Sequence, residues 1–368
     1  MKLKLKNTPD QIELVRAMGS NDNNVSMDAQ TAFAAFIGPV VQQVLMQAGS
    51  ANMLFTDMPY DEDDHPSIPL DLWYTEGAGF VTIWSQSQAG GLPSSHIEGL
   101  SELKVSTYRL DSAINILKKY ARRARLDVVS RAIERMANEV LIKRELNEWA
   151  VALQALGTAL TSGLRHVIPS GAQNFFLVDD LSNLITRSKL INRSYANGTP
   201  ADYNGKGITD LFVSPEIKGQ VRGFAYNPMN PVSTLSAPTT SAIPLPNETR
   251  QRIFDAAGAT EIFGITLHEL MELGVARKYN TLFGVNVAAG VSFAGVNFSG
   301  GTDEILVGVD LSRECCIRPI ARNADSGATF TAVPDDQWVS RSEKIGWYGR
   351  EESGAVVVDS RALVGLIV

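Results

Sequence analysis

One stretch of helical periodicity, from Asp127 to Leu156, constrains the fold of this chain more than any other feature. Asp127 can cap its start, and Gly157 follows its end. Apolar residues recur along it at helical spacing, at Val129, Ile133, Met136, Val140, Ala150 and Leu153. Thirty residues at 1.5 Å each give a rod of about 45 Å, which is longer than most globular helices. We therefore predict a helix that runs across more than one layer of the protein.

The composition of the whole chain is that of a folded, acidic protein. Its 368 residues allow two or three domains, and 44% of them are hydrophobic against 20% charged. The formal net charge of -7 argues against a surface that binds nucleic acid over its whole extent. No stretch approaches the ~18 consecutive apolar residues of a membrane-spanning helix. The sequence therefore predicts a soluble, unexported chain with no membrane partner.

Residues 1–65 have the character of an arm. Pro9 to Met18 predicts a short helix, and a break follows at Gly19 to Asn24. Met27 to Leu45 predicts a second helix, interrupted near Gly38 and Pro39. Neither piece carries enough apolar surface for a core of its own.

Strand chemistry replaces helical spacing between Pro66 and Tyr108. Two alternating segments enclose an uncharged tip, Ser85 to Pro93, and together they predict a long two-stranded ribbon. An isolated ribbon of this length is only marginally stable in water. We therefore expect it to lie on another surface, such as that of a neighbouring subunit.

The later part of the chain indicates alternating helices and strands. The sequence predicts a helix over Asp179 to Tyr195 and a buried strand, Leu211 to Val213, that leads into a helix. A further strand is expected at Ile305 to Val309, and others from Ile345 to Val368. We expect a central α/β domain followed by returning strands.

No sequence motif identifies a catalytic centre, a metal site or a cofactor site. His268 and Glu269 resemble the start of a zinc protease helix, but Glu272 stands where the second histidine would be. The acidic run Asp61 to Asp64 lacks the spacing of a calcium loop and indicates a solvated turn. Neither a phosphate-binding glycine loop nor a nucleophile elbow is found. We therefore expect no enzyme activity and treat His268 as an ordinary residue of a helix or strand.

The only two cysteines, Cys315 and Cys316, are adjacent. Adjacent cysteines rarely form a disulfide, because the geometry strains the bond. They indicate a reducing compartment and no redox centre.

The densest basic cluster has two possible partners. It can meet the phosphate backbone of DNA weakly and without sequence preference, or it can pair with carboxylates of a neighbouring subunit. The second interpretation is favoured, because Tyr120 is the only aromatic residue among these cations. The members of the cluster are Lys118, Lys119, Arg122, Arg123 and Arg125.

Taken in order, these elements resemble the major capsid proteins of tailed bacteriophages with the Hong Kong 97-like fold. The resemblance covers essentially the whole chain and rests on the order and spacing of the elements. The segments that carry it are the ribbon around Trp73 to Leu103, the long helix with Lys143-Arg144-Glu145, Thr209 to Glu216, Ile305 to Asp310, and Trp338 through Gly349 to Asp359.

The resemblance implies an α+β fold with five parts. These are an N-terminal arm (1–65), an extended loop (66–108), a spine helix (127–156), a peripheral domain (109–160 with 305–368) and a central, axial α/β domain (161–304). It implies intersubunit contacts through the extended loop, for which the expected residues are Trp73, Tyr74, Phe80, Trp84 and Leu92.

A structural function follows from the resemblance. Copies would assemble into pentamers and hexamers that close an icosahedral shell around double-stranded DNA, in a virion assembled in the host cytoplasm. The implied partners are a scaffolding protein, a portal and decoration or cement proteins. Two alternatives remain: an encapsulin-like nanocompartment shell, and, remotely, a metal-dependent hydrolase that uses His268 and Glu269.

The sequence departs from some members of this family in its extended loop. Those members crosslink covalently through a lysine on the loop, yet no Lys or Arg lies between Pro66 and Leu103. We therefore predict a non-covalent shell, whose subunits run as single chains on a denaturing gel; a ladder of covalent oligomers would contradict this. Only about 65 residues precede the ribbon, which favours a separate scaffolding protein over a cleaved scaffolding segment.

Overall fold

The computed structural model describes residues 8–69, 102–161, 163–172, 174–192, 207–226, 248, 260–287, 292–293, 295–324, 327–335 and 343–368. These residues divide into two compact units, and each unit combines helices with strands. The α+β class predicted from the sequence is therefore confirmed. Unit 1 is drawn from Met1–Ile68, Leu103–Glu148 and Ile317–Val356, and unit 2 from Pro69–Glu102, Trp149–Cys316 and Val357–Val368.

The described residues form seven α-helices and two short 3-10 helices. The α-helices are α1 (Pro9–Met18), α2 (Asn23–Gln47), α3 (Lys118–Arg122), α4 (Leu126–Thr158), α5 (Val178–Asn192), α6 (Pro215–Tyr226) and α7 (Lys278–Asn286). The 3-10 helices span Ala51–Met53 and Ser360–Ala362.

Eighteen strands complete the described secondary structure. In the first half they are β1 (Thr56–Asp61), β2 (Ser67–Pro69), β3 (Glu102–Lys104), β4 (Tyr108–Leu117), β5 (Leu160–Thr161), β6 (Leu164–Arg165), β7 (Val167–Pro169) and β8 (Asp210–Val213). In the second half they are β9 (Thr260–Ile262), β10 (Ile265–Glu269), β11 (Ser292–Phe293), β12 (Val296–Asn297), β13 (Ile305–Val309), β14 (Cys316–Arg322), β15 (Phe330–Asp335), β16 (Lys344–Ser353), β17 (Val356–Val357) and β18 (Leu363–Ile367).

The sheet of unit 1 is built around β16. The strand β4 pairs with it antiparallel over its whole length, from Lys344 opposite Leu117 to Ser353 opposite Tyr108. On its other side, β15 and β14 pair with it antiparallel, and β1 adds parallel to β14. The side chains of β4 alternate between more and less buried positions, as expected for a strand with one face on a core.

The core of unit 1 forms where α2 and α4 pack their apolar faces together with this sheet. Its central aromatic pair is Phe33 of α2 and Trp347 of β16, whose ring centroids lie 5.3 Å apart. The helix α4 contributes four residues that the periodicity predicted, Val129, Ile133, Met136 and Val140, and all four are buried in this core. Burial of a side chain of this size stabilises the fold by roughly 1.5–3 kcal/mol, so the packed face holds α4 in place.

The long helix predicted from Asp127 to Leu156 is confirmed as α4, which has 33 residues and a length of about 50 Å. The division between the two units falls inside it, after Glu148. In unit 2, Trp149 is fully buried and stacks on Tyr279, with its ring centroid 5.4 Å away. The helix α4 therefore contributes residues to both units.

Unit 2 contains a mixed sheet in the order β7-β18-β13-β8-β10-β9. Two of its central strands are buried along their entire length, Ile305–Val309 and Leu363–Ile367. Such uninterrupted apolar runs are typical of strands covered on both faces. The predicted strand Leu211 to Val213 is confirmed as part of β8, and α6 follows it directly.

The predicted interruption of the second arm helix is wrong. The helix α2 runs from Asn23 through Gly38 and Pro39 to Gln47 without a break. Pro39 lies on the exposed side, while Ile37 and Val41 on either side are buried in the core of unit 1. Packing of the buried face outweighs the hydrogen bond that the proline removes.

The pairing of the strands near the C-terminus differs from the predicted division into domains. We expected residues 305–368 to join the helix in one peripheral domain. Instead β13 pairs with β18 and β8 in unit 2, while β14, β15 and β16 belong to the sheet of unit 1. Strand partners depend on long-range packing, which the local pattern of each strand does not encode.

Candidate functional site

The base of the predicted ribbon lies within the described residues. The strands β2 and β3 pair with each other, and the Val105 N–H donates to the Pro66 carbonyl at 3.0 Å. The chain therefore enters and leaves the predicted ribbon at this pair of strands. The expected contact residues Trp73, Tyr74, Phe80, Trp84 and Leu92 lie outside the described residues.

The arm helix α2 carries a second candidate contact surface that the sequence predictions did not include. Asp28 is its only charged residue, although the helix has 25 residues. Three large apolar side chains on its outer side are about half exposed: Val25 at 46%, Phe36 at 47% and Met46 at 48%. The outer α2 stripe is the row of exposed residues at helical spacing Val25, Asp28, Ala32, Phe36, Pro39, Gln43 and Met46.

The segment Asn23–Met46 of α2 is also long and apolar enough to cross a membrane when only length and composition are considered. This qualifies the expectation that the chain holds no such segment. Half of that window is buried, and the buried side packs in the core of unit 1 against β15 and β16. We therefore treat α2 as a core helix with one exposed face.

Four of the five residues in the predicted basic cluster are exposed, and one is not. Lys118 is only 5% exposed, because it begins α3 directly after the long strand β4. Two of the exposed residues also make contacts inside unit 1: the Arg122 Nε donates to the Gly19 carbonyl at 2.8 Å, and Arg125 lies 3.8 Å from Asp127. The basic surface of this region therefore consists of Lys119, Arg122, Arg123 and Arg125.

A buried network of ion pairs lies in unit 1, and no sequence pattern predicted it. Arg318 of β14 donates from Nη1 to Glu148 Oε1 at 3.1 Å and from Nε to Asp57 Oδ1 at 2.6 Å. Arg144, one turn before Glu148 on α4, donates to Glu351 Oε1 of β16 at 3.0 Å. The side chains of Arg144, Glu148, Arg318 and Glu351 are at most 3% exposed.

The network ties the end of the arm to the rest of unit 1. Asn52, which follows α2, accepts hydrogen bonds from Arg144 at 3.0 Å and from Arg318 at 2.6 Å. Its own amide donates to the Leu45 carbonyl near the end of α2 at 3.0 Å. Residues from α2, α4, β1, β14 and β16 therefore meet around one pair of arginines.

A neighbouring carboxylate, that of Glu145, forms hydrogen bonds that fix the turn after α2. It accepts from the Ser50 hydroxyl at 2.8 Å and from the Ala51 N–H at 2.9 Å. The residue before them, Gly49, has a φ of 108°, and a Cβ there would clash with Glu145 Oε1. Only glycine therefore fits this position.

Burial controls the ionisation of two groups in unit 1. It raises the pKa of Glu148 above its ordinary value, and the nearby Arg318 and Arg144 offset part of that effect. Burial likewise raises the pKa of Tyr60 to about 12. The Tyr60 hydroxyl donates to Glu352 Oε1 at 3.0 Å, which also favours the neutral phenol.

His268 and Glu269 do not form a metal centre. They are consecutive residues of the strand β10, so their side chains point to opposite faces. The His268 Nε2 lies 2.7 Å from Asp210 Oδ1, and Glu269 pairs with the Lys218 Nζ at 3.0 Å. In the part of the chain that the structure describes, no group of three or more His, Cys, Asp or Glu residues could hold a metal ion.

One sequence signal could have indicated the outer α2 stripe. No charged residue occurs between Asp28 and Asp57. A surface helix normally carries charges on its outer side, so their absence predicts a face that is buried elsewhere. The network offers no comparable signal, because its residues are up to 294 positions apart, from Asp57 to Glu351.

Among known proteins, this chain is similar to several whose structures have been solved. No protein-family model and no curated protein matches the chain. The chain is similar to the capsid of an empty GTA particle, with 12% identity over 87% of this chain and 89% of that chain and a TM-score of 0.49. It is similar to the capsid of the cyanophage P-SCSP1u, with 12% identity, coverages of 87% and 88% and a TM-score of 0.48.

An encapsulin also appears among the similar structures. The chain in the holo-SrpI encapsulin complex of Synechococcus elongatus PCC 7942 shares 12% identity, with coverages of 85% and 84% and a TM-score of 0.45.

Proposed function

We propose that this chain is the major capsid protein of a tailed bacteriophage, with the Hong Kong 97-like fold that its sequence resembles. Its copies form hexamers and pentamers that close a shell around double-stranded DNA. The role is structural and involves no catalysis. The similar structures are chains of capsids and of an encapsulin, which is the class of assembly proposed here.

The outer α2 stripe is the observation that carries the proposal. Monomeric proteins rarely expose a long, nearly uncharged row of apolar side chains, and such rows mark surfaces that bind other chains. The stripe lies on a helix whose opposite face is fixed in the core of unit 1, so it is held ready for contact. We propose a second copy of this chain as its partner.

Two further features support assembly. The strands β2 and β3 pair at the base of the predicted ribbon, the segment whose sequence holds Trp73, Tyr74, Phe80, Trp84 and Leu92, and we propose that these residues contact the adjacent subunit. We further propose that Lys119, Arg122, Arg123 and Arg125 meet carboxylates of a neighbouring subunit or, weakly, the enclosed DNA. A scaffolding protein, a portal and decoration proteins complete the proposed partners, with assembly in the host cytoplasm.

Electron microscopy of the sedimentable fraction tests the proposal. The particles are taken from the native source, and this chain is identified in them by mass spectrometry. Closed icosahedral particles are expected, and their contents separate the candidates: double-stranded DNA indicates a phage capsid, and cargo protein indicates a nanocompartment. A stable small oligomer that never enters large particles would overturn the assembly function.

Substitution of Phe36 by glutamate tests the outer α2 stripe. The charge is expected to reduce the yield of closed particles at least tenfold, because an unpaired carboxylate would be buried between copies. The folding of the subunit should not change, since Phe36 is half exposed. Sedimentation measures the particles, and Phe36→Leu is the matched control that keeps the surface apolar. Equal particle yields from the two variants would exclude this surface from assembly.

Substitution of Trp84 by aspartate tests the ribbon. We expect a soluble subunit that forms fewer closed particles, whereas Trp84→Phe should assemble normally. Size-exclusion chromatography and particle counts compare the two variants. Wild-type particle yields from Trp84→Asp would remove this residue from the interface.

A further inference from the structure

The two cysteines of the chain are adjacent, and both are buried. Cys315 precedes β14 and Cys316 begins it, and their side chains are 2% and 1% exposed. Their Sγ atoms are 3.5 Å apart. Neither thiol has a role in the proposed shell, so the pair calls for a separate account.

The backbone turns immediately before the cysteine pair. Successive residues of an extended strand point to opposite faces, which would separate the thiols. The Cys315 N–H instead donates to the Arg313 carbonyl at 2.8 Å, which closes a three-residue turn just before the strand. The Cys315 carbonyl accepts from the Val358 N–H at 2.8 Å, which anchors this turn to the C-terminal segment.

The separation of the sulfur atoms fits a chelate better than a disulfide. A disulfide requires about 2.05 Å between sulfurs and usually 4.4–6.8 Å between Cα atoms. Adjacent residues have Cα atoms only about 3.8 Å apart, so a bond between them is strained and easily reduced. Two thiolates bound at about 2.3 Å to one tetrahedral ion lie roughly 3.8 Å apart, close to the spacing of this pair.

We propose that Cys315 and Cys316 form a two-thiol site that binds one soft, thiophilic ion, for which trivalent arsenic is the probe. Thiolate sulfur is the protein ligand that soft ions prefer. The fold holds both ligands in one place before the ion arrives, which lowers the entropy lost on binding. This site is independent of the shell function.

The ionisation state of the pair sets the chemistry of binding. The hydrogen bond with Cys315, together with burial, raises the pKa of Cys316 well above its ordinary value, so Cys316 keeps its proton in the free chain. Binding through sulfur has to remove the thiol protons. Phenylarsine oxide carries an oxide that can remove them. Two As–S bonds form, the As–O double bond and two S–H bonds break, one water leaves, and arsenic remains trivalent.

The decisive measurement is the shift in melting temperature of the full chain after equilibration with phenylarsine oxide. An unfolded chain with adjacent cysteines also binds this reagent, so adduct formation alone decides nothing. A ligand that binds the folded state more tightly raises Tm, and one that prefers the unfolded state lowers it. We expect one phenylarsine adduct per chain by native mass spectrometry and a rise in Tm of several degrees. A lower or unchanged Tm, or a folded chain without adduct, would overturn the proposal.

Single-thiol variants provide the control. Cys315→Ser and Cys316→Ser should each lose the adduct in the presence of excess monothiol, because only two thiols hold arsenic against such competition. If either variant has a lower Tm than the wild type without reagent, a thiol-competition experiment on the wild-type chain takes the place of that variant. A small dithiol should then remove the arsenic and return Tm to its starting value, whereas an equal concentration of monothiol should not. Removal by the monothiol would show that the two cysteines do not act together.

Discussion

Replacement of Arg318 by alanine should lower the free energy of unfolding by about 3–5 kcal/mol, because it leaves buried carboxylates without their cation. Glu148 would lose its hydrogen bonds at 3.1 and 3.3 Å, and Asp57 would lose its bond at 2.6 Å. Arg144 lies 3.6 Å from Glu148 and already binds Glu351, so it cannot replace both contacts. Urea denaturation of the wild-type and variant chains measures the difference.

An exposed arginine of the same sheet is the matched control. Arg109 of β4 forms an ion pair with Asp111 at 2.7 Å, but both side chains are nearly half exposed. Water solvates Asp111 when its partner is removed, so Arg109→Ala should leave the free energy of unfolding nearly unchanged. Similar losses from Arg318→Ala and Arg109→Ala would show that burial of the network does not control its energetics.

The loss caused by Arg318→Ala should depend on pH in a known direction. Burial already raises the pKa of Glu148, and removal of Arg318 takes away a charge that lowers it. A raised carboxyl pKa means that the folded state binds the proton more tightly than the unfolded state, so the fold is stabilised as pH falls through that pKa. The difference between variant and wild type should therefore shrink from pH 7 toward pH 5. A difference that is constant or grows over this range would contradict the assignment to Glu148.

Replacement of Ala137 by proline should destabilise unit 1 by about 3 kcal/mol or more. Ala137 is 1% exposed and lies in the middle of the buried face of α4. Proline removes a helical hydrogen bond there, and its ring clashes with the preceding turn. The same region of α4 packs against α2 and Trp347 in one core, so a kink would disturb their packing as well.

A substitution at a neighbouring exposed position is the control. It distinguishes the effect of proline on the helix backbone from the effect of any substitution in α4. Asn138 lies next to Ala137 on the outer side of α4, and Asn138→Ala should be neutral or slightly stabilising because alanine favours helices. Circular dichroism during urea denaturation compares both variants with the wild type. A proline variant that unfolds at the wild-type urea concentration would show that α4 does not support unit 1.

Local patterns in the sequence predicted the helices of this protein well. The spacing from Val129 to Leu153 is enough to define α4, because an amphipathic helix repeats its apolar residues within each turn. The first arm helix, Pro9–Met18, agrees with its predicted bounds at both ends. The strand–helix unit at Leu211 was equally clear, since Ser214 and Pro215 separate a buried apolar run from a helical pattern.

Tertiary packing decided what local patterns left open. Proline and glycine predicted a break in α2, but burial of Ile37 and Val41 keeps the helix continuous. The grouping of β13 and β18 into unit 2 depends on their pairing across the sheet, and many apolar runs in the chain are suitable partners for each. The hydrophobic pattern did not show which apolar side of α2 is exposed as the outer α2 stripe, although the absence of charge after Asp28 could have indicated such a surface.

Local patterns are enough to predict the α+β class, the long helix and the order of the elements, because these follow from interactions between residues close in the chain or from simple alternation. The tertiary structure set the buried network of Arg144, Glu148 and Arg318 and the pairing of the C-terminal strands. It also decided the contact between Cys315 and Cys316. These features depend on side-chain directions and on residues that are distant in the chain, which meet only after the helices and sheets have packed.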